Sequence, residues 1–152
     1  KKGLDTEVLT VDNHADAVYM ALRLMQERPE QWRSVAPALL RNGGNSSGVG
    51  ISAIGPKGDV HADQFSHLRS FGNVKDRPFG EIWEDTSNPI MAGLKANPRP
   101  LEGRCAVCPA LRLCNGNLRV RAESATGNPW ASDPACYLTD RELAIVGEAL
   151  NE

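Results

Sequence analysis

Residues 6–12, TEVLTVD, alternate apolar and polar positions and are rich in β-branched side chains, which predicts a strand. The period then changes. Ala15, Val18, Leu22 and Met25 fall on one helical face behind the capping residues Asp12 and Asn13, and Pro29 ends the pattern. Pro29 can open a second helix, PEQWRSVAPALLR, with Glu30 in its first turn; Pro37 inside that stretch is expected to kink or split it. Strand, helix, helix is the rhythm of an α/β unit. A single unit cannot close a barrel, so this stretch is expected to be the tail end of something larger.

The connector NGGNSSG, residues 42–48, is expected to be flexible and to mark a boundary. Beyond it, VGISAI and VHADQF flank the Gly/Pro turn GPKGD, a β-hairpin pattern. RPFGEIWED and NPIMAGLKA read as short helices opened by proline. Residues 97–136 carry repeated Pro and Gly with little periodicity, so this stretch is expected to lack a core of its own and to need a staple. TDRELAIVGEAL closes the pattern: Thr139 and Glu142 form a capping box, and Leu143, Val146 and Leu150 make one apolar stripe. The fold class that results is α+β, with a second domain over residues 45–152.

Composition places the chain among folded proteins, with 41% apolar and 24% charged residues. A formal net charge of -2 argues against nucleic acid or an anionic membrane as partner, and no apolar run is long enough to span a bilayer. The N-terminal KKGLDTEVLTVDNH lacks the apolar segment of a secretory signal and an initiator Met, which suggests a fragment of a cytoplasmic protein. In that reducing compartment clustered cysteines favour metal over disulfide.

All four cysteines lie in the staple-requiring region: Cys105, Cys108, Cys114 and Cys136, spaced Cys-x2-Cys-x5-Cys-x21-Cys. A Cys-x2-Cys knuckle points two sulfurs at one centre, but zinc prefers two facing knuckles, and here there is one. Three local ligands and a distant fourth suit an iron–sulfur cluster; zinc and disulfides remain alternatives. His14 is expected to be a solvated or capping residue. His61 and His67 flank the hairpin's second strand, either as ligands or as partly exposed side chains. Asp59, Asp63, Asp133 and Asp140 lack calcium-loop spacing, no catalytic triad is discernible, and Trp83 and Trp130 read as core.

The cysteine spacing, GDVHADQ and FGNVKDRPFGEIWED together resemble the SPASM/twitch extension that follows radical SAM barrels. TVDNHADA, GGNSSGVGIS and CNGNLRVRAESATGNPWASDPACYLTD are similar, more narrowly, to the radical SAM proteins of haem d1 biosynthesis. The resemblance implies one auxiliary [4Fe-4S] cluster on Cys105, Cys108, Cys114 and Cys136. A complete SPASM domain holds two; here Leu118 and Asp63 stand where the other cluster's cysteines would be. No Cys-x3-Cys-x2-Cys loop is present, so by this resemblance the chain does not itself initiate a radical. The resemblance also implies that residues 1–44 are the last strand–helix unit of a partial TIM barrel, the radical SAM barrel; the parent enzyme would bring the rest of it, S-adenosylmethionine and a second [4Fe-4S] cluster. It would act on an iron-tetrapyrrole, removing propionate side chains from 12,18-didecarboxysiroheme, with the auxiliary cluster in electron transfer or substrate positioning. Two competing functions are a zinc-stapled interaction domain and the SPASM domain of a peptide-modifying radical SAM enzyme.

Overall fold

The computed structural model describes residues 12–151. The strand expected over residues 6–12 therefore lies almost wholly outside the described residues. Helix α1, Ala15–Glu27, buries Ala15, Val18, Ala21 and Leu22, the stripe that the apolar spacing predicts. Helix α2, Pro29–Asn42, runs unbroken through Pro37 and ends at Gly43, whose positive φ of 68° closes it with an N–H donated to the Leu39 carbonyl. The expected kink is thus corrected. Proline removes one helical donor, but Pro37 and Arg33 are both exposed, so water can take the freed carbonyl.

The hairpin is present and much shorter than the alternation suggests. Strands β1, Ala53–Ile54, and β2, Val60–His61, pair antiparallel with Ile54 opposite Val60. The other edge of β2 is taken by residues 71–74: Val60 donates to the Gly72 carbonyl and accepts from the Phe71 N–H. Helix α3, Phe79–Glu84, buries Ile82, and α4, Pro89–Lys95, buries Met91 and Leu94 behind an Asn88 side-chain cap. Trp83 is only half-buried; it stacks on Phe79 beneath the Lys95 ammonium. Trp130 is likewise half-buried, so neither tryptophan is a core centre.

Residues 97–136 are more ordered than their composition suggests. They form α5 (Gly103–Ala106), α6 (Leu111–Cys114) and α7 (Arg119–Thr126), and they contribute Leu101, Ala110, Leu113, Leu118 and Ala122 to the buried interior. Helices of four residues are too short to display a period, which is why the sequence hides them. Helix α8, Asp140–Asn151, starts at the expected capping box: Thr139 Oγ1 accepts from the Glu142 N–H, and the Glu142 carboxylate accepts from the Thr139 N–H.

The largest packed cluster joins α1, α6 and α8 through Val18, Leu22, Ala110, Leu113, Leu143 and Val146. The 97–136 region therefore shares a core with helices far from it in sequence. The connector is also not a flexible link. Gly44, Asn45 and Ser47 are buried, and the Asn45 N–H donates to the Cys114 carbonyl at 3.1 Å. At its centre lies Arg99, 3% exposed: Nε donates to Leu94 O, Nη1 to Asn45 Oδ1 and Asn115 O, and Nη2 to Ser47 O. Burial lowers its pKa to about 10, which leaves it charged at neutral pH.

Candidate metal centre

Four segments bring the thiols together. Cys105 sits on α5, Cys108 in the turn after it, Cys114 at the end of α6, and Cys136 in the loop before α8. All four are free thiols and all line one cavity. The expected single cysteine-rich loop is thus two helical turns plus a separate return segment. Its other walls are mostly aliphatic, with Ala15 and Val18 from α1, Ala110 and Leu111 at the start of α6, and Leu138 and Leu143 beside or in α8. Cys108, Cys114 and Cys136 pack against the core that these helices share.

Burial pushes the Cys108 thiol up and the Cys114 thiol up to about 12, so a metal that binds here must displace their protons. Cationic support comes from Arg104, whose Nη1 lies 3.6 Å from Cys136 Sγ and whose Nε donates to Asp140. Asp133 also lines the cavity, but its carboxylate is engaged: it accepts from Arg121 Nη2 at 2.8 Å and from the Ala135 N–H at 2.9 Å. Among the described residues no group of three or more His, Cys, Asp or Glu side chains is close enough to hold a single metal ion. The four thiols share one cavity without forming such a group. An apolar cavity whose available ligands are all sulfur is chemically suited to an iron–sulfur cluster, which presents several irons at separated corners.

The other candidates stand apart. Asp63 is buried beneath the hairpin, where it accepts from Ser47 Oγ, the Phe65 N–H and Ser66 Oγ. His61 Nδ1 lies 2.7 Å from the Arg69 carbonyl and its ring meets His67 edge-on, an arrangement satisfied within the protein. His14 donates its backbone N–H to Asn117 Oδ1 and provides no side-chain cap. Sequence reasoning missed Asn117 itself. It is 3% exposed, takes a positive φ of 61°, and donates from Nδ2 to Asn13 Oδ1, which fastens the start of α1 to the chain just beyond Cys114.

Gly44 sets the closest approach to the site. Its φ is +79°, and a Cβ there would lie 2.3 Å from the Cys114 carbonyl carbon. Both the conformation and the space exclude a side chain. Gly44→Ala is therefore expected to displace Cys114 and cost at least about 1–3 kcal/mol, the range for a strained or overpacked backbone position. Thermal unfolding of the purified variant measures it; an unchanged Tm would contradict the close approach.

Fe-coproporphyrin III synthase of Methanosarcina barkeri is 54% identical over 147 residues, which cover 94% of this chain and 37% of that protein. Pre-heme d1 synthase of Dinoroseobacter shibae is 44% identical over 142 residues, 93% of this chain and 35% of the relative. The chain belongs to the radical SAM haem-synthesis family. An AdoMet-dependent heme synthase of Nitratidesulfovibrio vulgaris extends the family likeness at 29% identity over 128 residues, 80% of this chain and 33% of that enzyme. The resemblance drawn from the cysteine spacing and its flanking motifs is borne out. This member of the haem-synthesis family spans a little over a third of the length of the curated relatives it matches. No family model matches the chain. No solved structure matches it either. Among the described residues no helix is long and apolar enough to cross a membrane.

Proposed function

We propose that Cys105, Cys108, Cys114 and Cys136 hold one auxiliary [4Fe-4S] cluster in a radical SAM enzyme that remodels an iron-tetrapyrrole. The observation that carries this reading is the convergence of four free thiols, spread over 32 residues, on one aliphatic cavity. When bound, a cluster with four thiolate ligands supplies outer-sphere electron transfer, since it leaves no iron open to substrate. The chain's own part is to hold the four sulfurs, exclude water with α1, α6 and α8, and set the local charge through Arg104. In this reading residues 1–44 complete the radical SAM barrel and residues 45–152 form the cluster domain. S-adenosylmethionine and a second cluster are held elsewhere in the full-length chain.

The reaction proposed is propionate removal from 12,18-didecarboxysiroheme on the way to haem d1, which likeness to a pre-heme d1 synthase supports. The higher identity to an Fe-coproporphyrin III synthase favours a second reading, in which Fe-coproporphyrin III is the product. Anaerobic incubation of the full-length enzyme with tetrapyrrole, reductant and S-adenosylmethionine separates the two by product mass. For the metal centre, anaerobic reconstitution of this chain is expected to give about four irons and four sulfides per chain. Zinc at one per chain in anaerobically prepared material would replace the cluster by a structural staple.

A further inference from the structure

Two arginines are buried to the same degree, Arg99 at 3% and Arg119 at 4% exposure, and they differ in one respect. Every nitrogen of Arg99 donates to an acceptor. Arg119 Nη1 donates to the Pro129 and Ala131 carbonyls at 3.2 and 2.7 Å, while its Nε and Nη2 have no partner. Among the described residues no carboxylate lies within ion-pair distance of it. A buried cation with an open two-donor edge costs several kcal/mol unless an anion meets it.

The guanidinium stands between two spaces. On one side is the cavity beneath the hairpin, lined by Ala62, Leu68 and Phe71 and flanked by the acidic Asp63 and Glu123. Arg119 itself lines that cavity, where an anion entering would meet the Asp63 carboxylate and a Glu123 already paired with Arg69. On the other side is Gly116: a Cβ at Gly116 would lie 3.4 Å from Arg119 Cζ, and Gly116 lines the cysteine cavity. The electrostatic partners that favour the charge of Arg119 are Cys105 first, then Asp133 and Cys114. Asp133 is already held by Arg121. The unused anions are the thiols themselves once ionised, and four thiolates around a [4Fe-4S] core carry a net negative charge.

We infer that Arg119 is a positioning residue for the metal centre: its unpartnered, buried guanidinium edge serves the thiolate-bound cluster and raises that cluster's reduction potential. This rests on the cluster reading above. A fixed positive charge and N–H donors near the sulfurs favour the reduced, more negative state. Arg104 also faces the thiols, with Nη1 3.6 Å from Cys136 Sγ, but it is about one-third exposed, so water screens its charge.

The test uses the full-length holoenzyme and potentiometric electron paramagnetic resonance. The barrel cluster is told apart by its spectral change when S-adenosylmethionine is added. Arg119→Gln is expected to retain four irons and four sulfides at the auxiliary site and to shift its midpoint potential to a more negative value. Arg119→Lys, which keeps the charge and loses the planar fork, is expected to fall between Gln and wild type. A purely structural arginine would alter loading or Tm and leave the midpoint of the loaded cluster in place; an unchanged midpoint in a loaded Arg119→Gln enzyme therefore overturns the inference. Failure of the wild-type auxiliary site to load iron and sulfide would instead overturn the cluster reading beneath it. If Arg119→Gln does not fold, an Arg104→Lys enzyme labelled with nitrogen-15 arginine is examined in its place. Hyperfine coupling between the reduced auxiliary cluster and a guanidinium nitrogen is expected, and its absence rejects the role of Arg119.

Discussion

The full-length enzyme carrying Cys108→Ala is expected to cleave S-adenosylmethionine at close to the wild-type rate while tetrapyrrole turnover falls at least about 10- to 100-fold. That range is what metal sites lose when even their outer partners are removed, and Cys108 is proposed as a direct ligand. The selectivity follows from position. Cys108 lines the cavity under α1 and α8 and packs on their shared core, whereas the cluster that reacts with S-adenosylmethionine is proposed to lie elsewhere in the full-length protein. Two causes of the loss are separable. A misshapen substrate pocket weakens tetrapyrrole binding, while a missing electron partner spares binding and stalls the reaction after hydrogen abstraction. The second pattern is expected, because one truncated side chain leaves the aliphatic walls in place. Complete turnover by a folded Cys108→Ala enzyme that lacks the auxiliary cluster would refute the redox role.

Arg99→Met is expected to destabilise the chain by about 3–5 kcal/mol, as truncating one partner of a buried charged network does. Methionine fills much of the volume but donates nothing, so Leu94 O, Asn45 Oδ1, Asn115 O and Ser47 O lose a buried donor together. These acceptors come from the connector, the end of α4 and the residue after Cys114. Losing the arginine thus loosens three segments at once, and the cysteine cavity with them. Chemical denaturation of the variant reads the loss directly. A change below about 1 kcal/mol, the usual scale of an exposed polar contact, would mean that water replaces the guanidinium.

The Arg99 node also explains what the sequence conceals. NGGNSSG has the composition of a linker, yet Asn45 and Ser47 are buried because Arg99 satisfies their polar atoms, and no residue-by-residue property of the connector announces a partner more than 50 positions away. Helix α7 is hidden for a related reason: its buried first residue is an arginine, which reverses the sign of any hydrophobic pattern. The elements that were legible have local causes. The α1 stripe buries the apolar residues its spacing selects, and the Thr139–Glu142 box caps α8. Pro37 misleads because the rule concerns the freed carbonyl's surroundings, and these face solvent. The cysteines were legible as a set from spacing alone. Their surroundings were not: the positive φ of Asn117 and the unpartnered donors of Arg119 are visible only in the folded chain.

The cavity that gathers the thiols is roofed by α1 and α8, helices separated by more than 100 residues of chain, with α8 the later to be synthesised. On a ribosome, Cys105, Cys108 and Cys114 emerge well before Leu143 and Val146 can cover them. Until α8 is free to dock, those sulfurs are exposed to oxygen and to stray copper or zinc without the walls that would select among metals. On the proposed cluster reading, a donor of iron and sulfide that acts before α8 docks meets half a site, and one that acts afterwards must open α8 or approach by the Arg104 edge.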